Sequence, residues 1–562
     1  METASTNSDS AGRPKKPAFT RRLTLRPTST CKRRPGRLNL KAPARAKARQ
    51  GMGLNLVRRV ARKGDIELLK RARLRTLGRI ATAILGSAIA LPGSAAPVAG
   101  GVLMHPTVSD YVQMTTSTTP PTEAQCFSVG RRCFTPQSIR AAYNVAPLYA
   151  SGFDGHGVTI AIVDAYGSDT IAHDLHVFNQ AFNLPGMCGE EGVTCASGMP
   201  TFSQLHLQGS PATKPQPGKG TGQEDKSAWA LEVSLDVETA HAMAPGANIL
   251  LVTTPTAETL GVQGFPDMMN AEQYVVDHHL ATVISQSFAS TEEAFGSTAS
   301  LMKLRHAFVS AAANGVTVLG SSGDFGSAGV IKTPVSQGGH FLSNPAVWWP
   351  ASDPLVTGVG GTYLCTDPFN TTTRTVDSTD PPTTCGGTNT GQAEVAWIAA
   401  GGGFSHVFSK PAYQNTLPAG SAPIGSMRGV PDIGLQASSR TGALVYISLP
   451  NAGQSGLSCG SSGPCSTGWY DIGGTSLSCP QWAALVAIAD QMKGHGLGLI
   501  NPALYSIANS GNYSSDFFDV TVGNNRDVSG VAGYDASTGW DPITGLGTPN
   551  AANLIPDLVA AS

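Results

Sequence analysis

Between residues 157 and 320, short β-branched runs alternate with helix-like stretches, and this pattern limits the folds open to the 562-residue chain. Gly157 to Asp164 (GVTIAIVD), Ala247 to Val252, Thr282 to Ser285 and Val316 to Gly320 are short apolar runs flanked by turn residues. Such runs suit strands buried on both faces of a parallel sheet. Between them, Ser227 to Met243, Pro266 to His279 and Thr298 to Asn314 have the length and composition of helices. Strand and helix in alternation predict an α/β domain, a mostly parallel sheet with helices on both faces. No repeat of solenoid or propeller period is visible.

The net charge of zero conceals a division. Residues 1–81 hold 23 Lys+Arg and 4 Asp+Glu, leaving 15 basic and 34 acidic residues for the remainder. An acidic body argues against nucleic-acid binding, which needs a basic surface. It suits work at low pH, where carboxylates are partly neutralised. Residues 1–79 read as a basic disordered or targeting segment; a DNA-binding tail is the competing assignment. Ile80 to Leu91 (IATAILGSAIAL) has the length of a signal-peptide core and is too short to span a bilayer, so no stable membrane anchor is expected. Residues 80–99 therefore predict a processing region and a secreted product, 100–133 a linker or residual propeptide, and 134–562 the organised domain. TTSTTPPTE (115–123) has the composition of a polar linker.

The cysteines agree with export. Of the nine beyond residue 100, eight form local pairs by spacing, 126/133, 188/195, 365/385 and 459/465, in loops that suit disulfides. Cys479 is left over in an apolar stretch, as a buried thiol would be. No C-x-x-C pair with partnered histidines appears, which argues against zinc.

Three segments carry candidate chemistry. GGTSLSCP (473–480) places Ser476 after a glycine turn at the start of an apolar helix, where free N–H groups and the helix dipole favour negative charge. Pro480 is expected to fall in the first helical turn, where no N–H is lost. AWALEVSLDVETAHAMAP (228–245) puts Glu232 and Asp236 on one helix face. Two like acids oppose joint ionisation, so one pKa rises and the pair can act as an acid/base unit in acid solution. Glu238 and His241 on the same stretch suit packing or surface roles. VTVLGSSGDFG (316–326) runs a strand into a turn presenting Asp324, which when protonated is a donor suited to an oxyanion. Taken singly, each has a plainer assignment: a helix cap, surface charge, a turn aspartate.

In combination and order these segments resemble the sedolisin (serine-carboxyl peptidase) family, which has a subtilisin-like fold. TPQSIRAAYNV (135–145), SSGDFG (321–326), GGGFS (401–405), VPD (430–432), GGTSLSCP and GWDPITGLGTPN (539–550) carry the resemblance, from about Phe134 to Leu558. It implies that Ser476 is the nucleophile, Glu232 the base, Asp236 its support and Asp324 the oxyanion donor, with an acyl-enzyme formed in acid. It also implies one structural Ca2+ held by the carboxylates of Asp519 and Asp541 and the carbonyls of Val520, Ser537 and Gly539. Polypeptide substrates and a monomer are expected; internal and tripeptidyl cleavage stay open.

The sequence departs from the family in two places. Only about 40 residues separate the apolar segment from the peptidase start, too few for the folded inhibitory prodomain of family members. In SQSFAS (285–290), Ala289 stands where the family commonly has glycine, on a strand expected to line the substrate cleft. A Ser-His-Asp subtilase with Asp164 as its acid is the nearest alternative, but Glu232 stands where its histidine would be. An inactive binding protein on the same scaffold is the alternative from another class.

Overall fold

The computed structural model describes residues 105–106, 111–207, 223–255, 264–330, 341–365, 385, 392–449, 457–459 and 465–562. The basic segment and the apolar segment of the N-terminal part lie outside the described residues.

An eight-stranded sheet organises the domain. Its strands are β3 (Thr159–Ala165), β4 (Phe202–His206), β5 (Asn248–Thr254), β6 (Val283–Gln286), β8 (Thr317–Ser321), β10 (Thr357–Leu364), β11 (Glu394–Ala396) and β14 (Ile433–Gln436). The order is β11-β10-β8-β6-β3-β5-β4, with β14 also pairing β10. Every pairing is parallel except β10 with β11. The predicted α/β class with a mostly parallel sheet is therefore observed.

Strand alternation sends successive side chains to opposite faces. In β3, Ile160 and Ile162 enter one core with the helices Gln223–Met243 and Thr475–Lys493. Ala161 and Val163 enter another with the helices Gly264–Asp277 and His306–Ala313. Both faces are covered, as near-continuous apolar runs require. The four predicted strands form within one or two residues of their expected ends. The helix expected over 298–314 divides instead at Arg305, between Thr298–Leu304 and His306–Ala313. The guanidinium of Arg305 is drawn onto the buried carboxylate of Asp353, with Nη2 at 2.8 Å from Oδ1.

Smaller sheets flank the main one. β1 (His105–Pro106), β7 (Phe288–Thr291) and β9 (Trp348–Trp349) make one, in the order β1-β7-β9. β2 (Tyr111–Thr115) joins β15 (Ala443–Ile447) and β16 (Gly468–Ile472) in another. β12 (Gly403–Ser409) and β13 (Met427–Val430) pair antiparallel. Order among the described residues thus extends upstream of Phe134. Part of the polar stretch 115–123 is also structured: Thr122 caps the helix Glu123–Ser128, accepting from the Gln125 N–H at 3.3 Å while Gln125 Oε1 accepts from the Thr122 N–H at 2.8 Å. All four cysteine pairs expected from spacing are disulfides, and Cys479 is a buried free thiol. Among the described residues, no helix is long and apolar enough to cross a membrane.

Candidate active site

β16 ends at Ile472 and the chain turns through Gly473 and Gly474 into the helix Thr475–Lys493, so Ser476 stands in its first turn. Both glycines are required. A Cβ on Gly473 would come within 2.1 Å of the Ser439 nitrogen and 2.2 Å of the Ala437 oxygen. Gly474 has φ of 130°, a conformation other residues rarely adopt. Pro480 departs from its expected place: it is the sixth residue of the helix, beyond the first turn. It therefore removes the N–H that would have bonded the Ser476 carbonyl. The turn behind the serine is held by fewer helical hydrogen bonds than the rest of the element.

The helix Gln223–Met243 packs against the Ser476 helix and brings Glu232 and Asp236 with it. Both acids are fully buried, which rules out solvated surface charge. Burial, with Asp236 and then Asp164 as further causes, pushes the Glu232 carboxyl far above the usual range. Burial and Asp164 do the same to Asp236, while the Ser287 hydroxyl favours its charged form. No oxygen of either acid makes a hydrogen bond within ordinary limits. The Ser476 hydroxyl is nevertheless close enough to Glu232 to favour its ionised form. An acid with an unspent acceptor beside a serine hydroxyl at a helix N-terminus can take that proton.

Asp164, at the end of β3, is the third member of this group. It is fully buried, neither of its oxygens has a hydrogen-bond partner, and burial raises it to about 8. Three mutually interacting buried acids cannot all ionise, so protons are shared among them. Sequence reasoning met Asp164 only as the acid of a subtilase triad. The side chains acting on Glu232 are Asp236, Asp164, Ser476 and Asp324, with no histidine among them. The available signal for Asp164 was its position at the C-terminal end of a parallel strand, where functional groups collect.

Asp324 follows β8 through Ser322 and Gly323. Gly323 takes φ of 107° against the Trp348 ring, and its N–H donates to Thr475 Oγ1 at 3.1 Å. Asp324 Oδ1 accepts from the Thr475 N–H at 2.8 Å and from the Thr475 hydroxyl at 2.9 Å. The turn that carries Asp324 is thereby fixed to the residue before Ser476. The GGTS motif singles out Ser476 in the sequence and assigns Thr475 no role of its own. A hydroxyl next to a nucleophile and able to bridge two loops was the signal in the sequence.

Glu238 and His241 lie elsewhere on the same helix. Both are buried; Glu238 Oε2 accepts from the Tyr446 N–H at 2.9 Å, and His241 Nε2 bonds the Pro185 carbonyl at 2.9 Å. Burial lowers His241 to about 4, so it packs as a neutral ring.

The C-terminal loops bring Asp519 and Asp541 together beside Tyr513. The Gly539 N–H donates to both Asp519 oxygens, at 3.1 and 3.0 Å. Asp541 is fully buried and accepts from the N–H groups of Ile543 and Thr544 and the Thr544 hydroxyl, at 2.8 to 3.0 Å. The Ser537 N–H lies 3.5 Å from Asp541 Oδ2. Burial lifts Asp519, and raises Asp541 to about 7. A half-buried carboxylate, Asp519, and a fully buried one, Asp541, converge here, and hard carboxylate oxygens of this kind suit calcium. Among the described residues, no cluster of three or more His, Cys, Asp or Glu is arranged for a metal. A site of two carboxylates completed by carbonyls does not need one.

No family model matches the chain. It is 30% identical to kumamolisin from Bacillus sp. (strain MN-32) over 482 residues, 84% of this chain and 73% of that protein. It is 29% identical to tripeptidyl-peptidase 1 of Canis lupus familiaris over 386 residues, 65% of this chain but only 58% of that protein. Among solved structures, Pseudomonas sedolisin, a serine-carboxyl proteinase complexed with pseudo-iodotyrostatin, superimposes with a TM-score of 0.53 at 26% identity. That match covers 76% of this chain and 99% of the other.

Proposed function

Because the chain belongs to the sedolisin family of serine-carboxyl peptidases, we propose that it hydrolyses peptide bonds in acid solution through an acyl-enzyme on Ser476. The observation that carries this is the buried Glu232 carboxyl beside the Ser476 hydroxyl, backed by Asp236 on the same helix face.

Ser476 Oγ attacks the scissile carbonyl as its proton passes to Glu232. The carbonyl oxygen becomes an oxyanion, stabilised by a hydrogen bond from protonated Asp324. Glu232 returns the proton to the leaving amine as the C–N bond breaks. Water then attacks the acyl-enzyme with Glu232 again as base, releasing the acid product and restoring Ser476. Asp236 and Asp164 share protons with Glu232 and so hold it poised where one carboxyl of the group is ionised. Low pH is required for two reasons: Asp324 must carry its proton, and the buried cluster cannot bear several negative charges.

Asp519 and Asp541, with the carbonyls of Val520, Ser537 and Gly539, are the residues that would hold one Ca2+. The ion would supply charge compensation for one buried and one half-buried carboxylate, a structural role. Four disulfides support folding in an oxidising compartment, consistent with secretion. Polypeptides are the substrate class. Digestion of a denatured protein below pH 5 by wild type and by Glu232→Gln tests the assignment. The lengths of the products separate internal cleavage from release of tripeptides.

A further inference from the structure

A row of polar residues crosses the main sheet beneath the nucleophile. β3 pairs Val163 with Gln286 of β6, and Gln286 pairs in turn with Gly320 of β8. The next residues along these three chains are Asp164, Ser287 and Ser321, so the register sets them side by side. Ile162, Val283 and Leu319 enter the core shared with the helices Gln223–Met243 and Thr475–Lys493. Asp164, Ser287 and Ser321 follow them at even spacing and therefore share that face. All three are fully buried.

The two helices supply the groups opposite. Glu232 and Asp236 come from one and Cys479 from the other. The Cys479 thiol accepts from the Ser285 hydroxyl at 3.5 Å and donates to the Gln286 carbonyl at 3.7 Å. Burial pushes it up to about 12, so it stays neutral. Ser321 turns to this thiol, and Asp324, three residues on, acts on Glu232. Ser287 is the member of the row that acts on Asp236. No cation is among the groups acting on Asp164, Glu232 or Asp236. Burial and mutual repulsion thus favour the neutral form of every acid here, yet hydrolysis needs one of them charged to act as base.

We propose that Ser287 is a positioning residue of the acid cluster: its hydroxyl, on the sheet side of Asp236, keeps one carboxylate of the group charged in acid solution, even while Ser476 is acylated. This rests on the peptidase reading above. Two hydroxyls oppose the bias toward neutrality, each at a different acid: Ser476 at Glu232 and Ser287 at Asp236. The first is spent in the reaction, because its proton leaves and its oxygen is acylated. The second takes no part in bond making and persists through both halves of the cycle. Ser287 Oγ and both Asp236 oxygens have no partner within ordinary hydrogen-bond limits. The hydroxyl is therefore free to turn toward the acid when it ionises. A bond from a neutral donor to a carboxylate is stronger than one between neutral groups, so it favours the charged form.

Ser287→Ala and Ser287→Thr in the full chain test the proposal through hydrolysis of a denatured protein across pH. Ser287→Ala is expected to move the acidic limb of the profile up by about one pH unit, a tenfold loss at the foot of the limb, and to lower the optimum rate less. Ser287→Thr keeps the hydroxyl and is expected to restore the wild-type limb. A role confined to packing would lower the rate without moving the limb. A second arm measures thermal midpoints of Ser476→Ala with and without Ser287→Ala, from roughly pH 3 to 6. A donor to the charged form stabilises above the folded pKa and loses that contribution as pH falls. The gap between the two variants should therefore widen as pH rises. That arm needs no hydrolysis, so an inactive wild type would count against the peptidase reading and leave Ser287 to this measurement. An unmoved limb in an active wild type, or a gap equal at every pH, would overturn the proposal.

Discussion

Thr475 grips Asp324 twice, by its N–H at 2.8 Å and its hydroxyl at 2.9 Å, so the turn after β8 and the first turn of the serine helix move as one. The same hydroxyl accepts the Gly323 N–H at 3.1 Å. Thr475→Val keeps the shape and one bond but strands a buried N–H. It is expected to lower kcat roughly tenfold with KM little changed, less than the hundredfold or more typical of deleting an oxyanion donor outright. Steady-state kinetics beside Asp324→Ala checks both the size and the order of the two effects.

Asp236→Asn tests proton sharing. The variant removes one titrating member of the cluster and the like charge that raises Glu232. Glu232 should then ionise at lower pH, moving the acidic limb of the activity profile downward. The rate at the optimum should fall by about a hundredfold or more, the scale of a lost acid–base partner. An unchanged limb would mean that Asp236 does not act on Glu232.

Stability should fall as pH rises from acid toward neutral. Burial raises Asp174 and Asp490 to about 7 and Asp164 to about 8, and lifts Glu238 and Glu272 well above their usual range. A carboxyl raised in the folded state binds its proton more tightly there than in the unfolded chain. Its stabilising contribution is complete below about pH 4 and is lost as pH climbs through the folded value. For Asp174, Asp490 and Asp164 the window is about pH 4 to 8, and each contributes on the order of a few kcal/mol across it; Glu238 and Glu272 act in the same direction. His241, lowered to about 4, works oppositely as pH falls below 6.5, but it is one group against five. Thermal midpoints measured across this range are expected to decline toward neutral pH, and Glu272→Gln is expected to flatten the slope.

Calcium should matter to stability more than to chemistry. Chelation is expected to lower the thermal midpoint by several degrees, and added Ca2+ to restore it; saturation at a hundred times Kd is worth about 2.7 kcal/mol. Asp541→Asn should abolish the response while leaving some activity at low temperature. Equal midpoints with and without chelator would remove the ion from the account.

Much of this was legible before the structure. The sheet was, because parallel strands buried on both faces leave unbroken β-branched runs such as GVTIAIVD. So were the disulfides, because their spacings were short and local. The shared face of Glu232 and Asp236 followed from helix geometry, but their complete burial did not, since the stretch could equally have carried surface charge. Asp164 and Thr475 were missed as site residues for one reason. Their importance lies in what lies across from them, 68 and 151 residues away in the chain, and local pattern carries no such information. The break at Arg305 likewise depended on a partner, Asp353, distant in sequence. Pro480 was misplaced because helix starts are uncertain by a few residues, enough to move a proline from a harmless turn to one where it frees a carbonyl.

The most direct measurement is the pH dependence of hydrolysis of a denatured protein by wild type, Ser476→Ala and Glu232→Gln. The account predicts wild-type activity confined to acid pH, and a loss of at least a thousandfold in both variants with folding intact. An optimum near pH 7, or hydrolysis retained by Ser476→Ala, would contradict it.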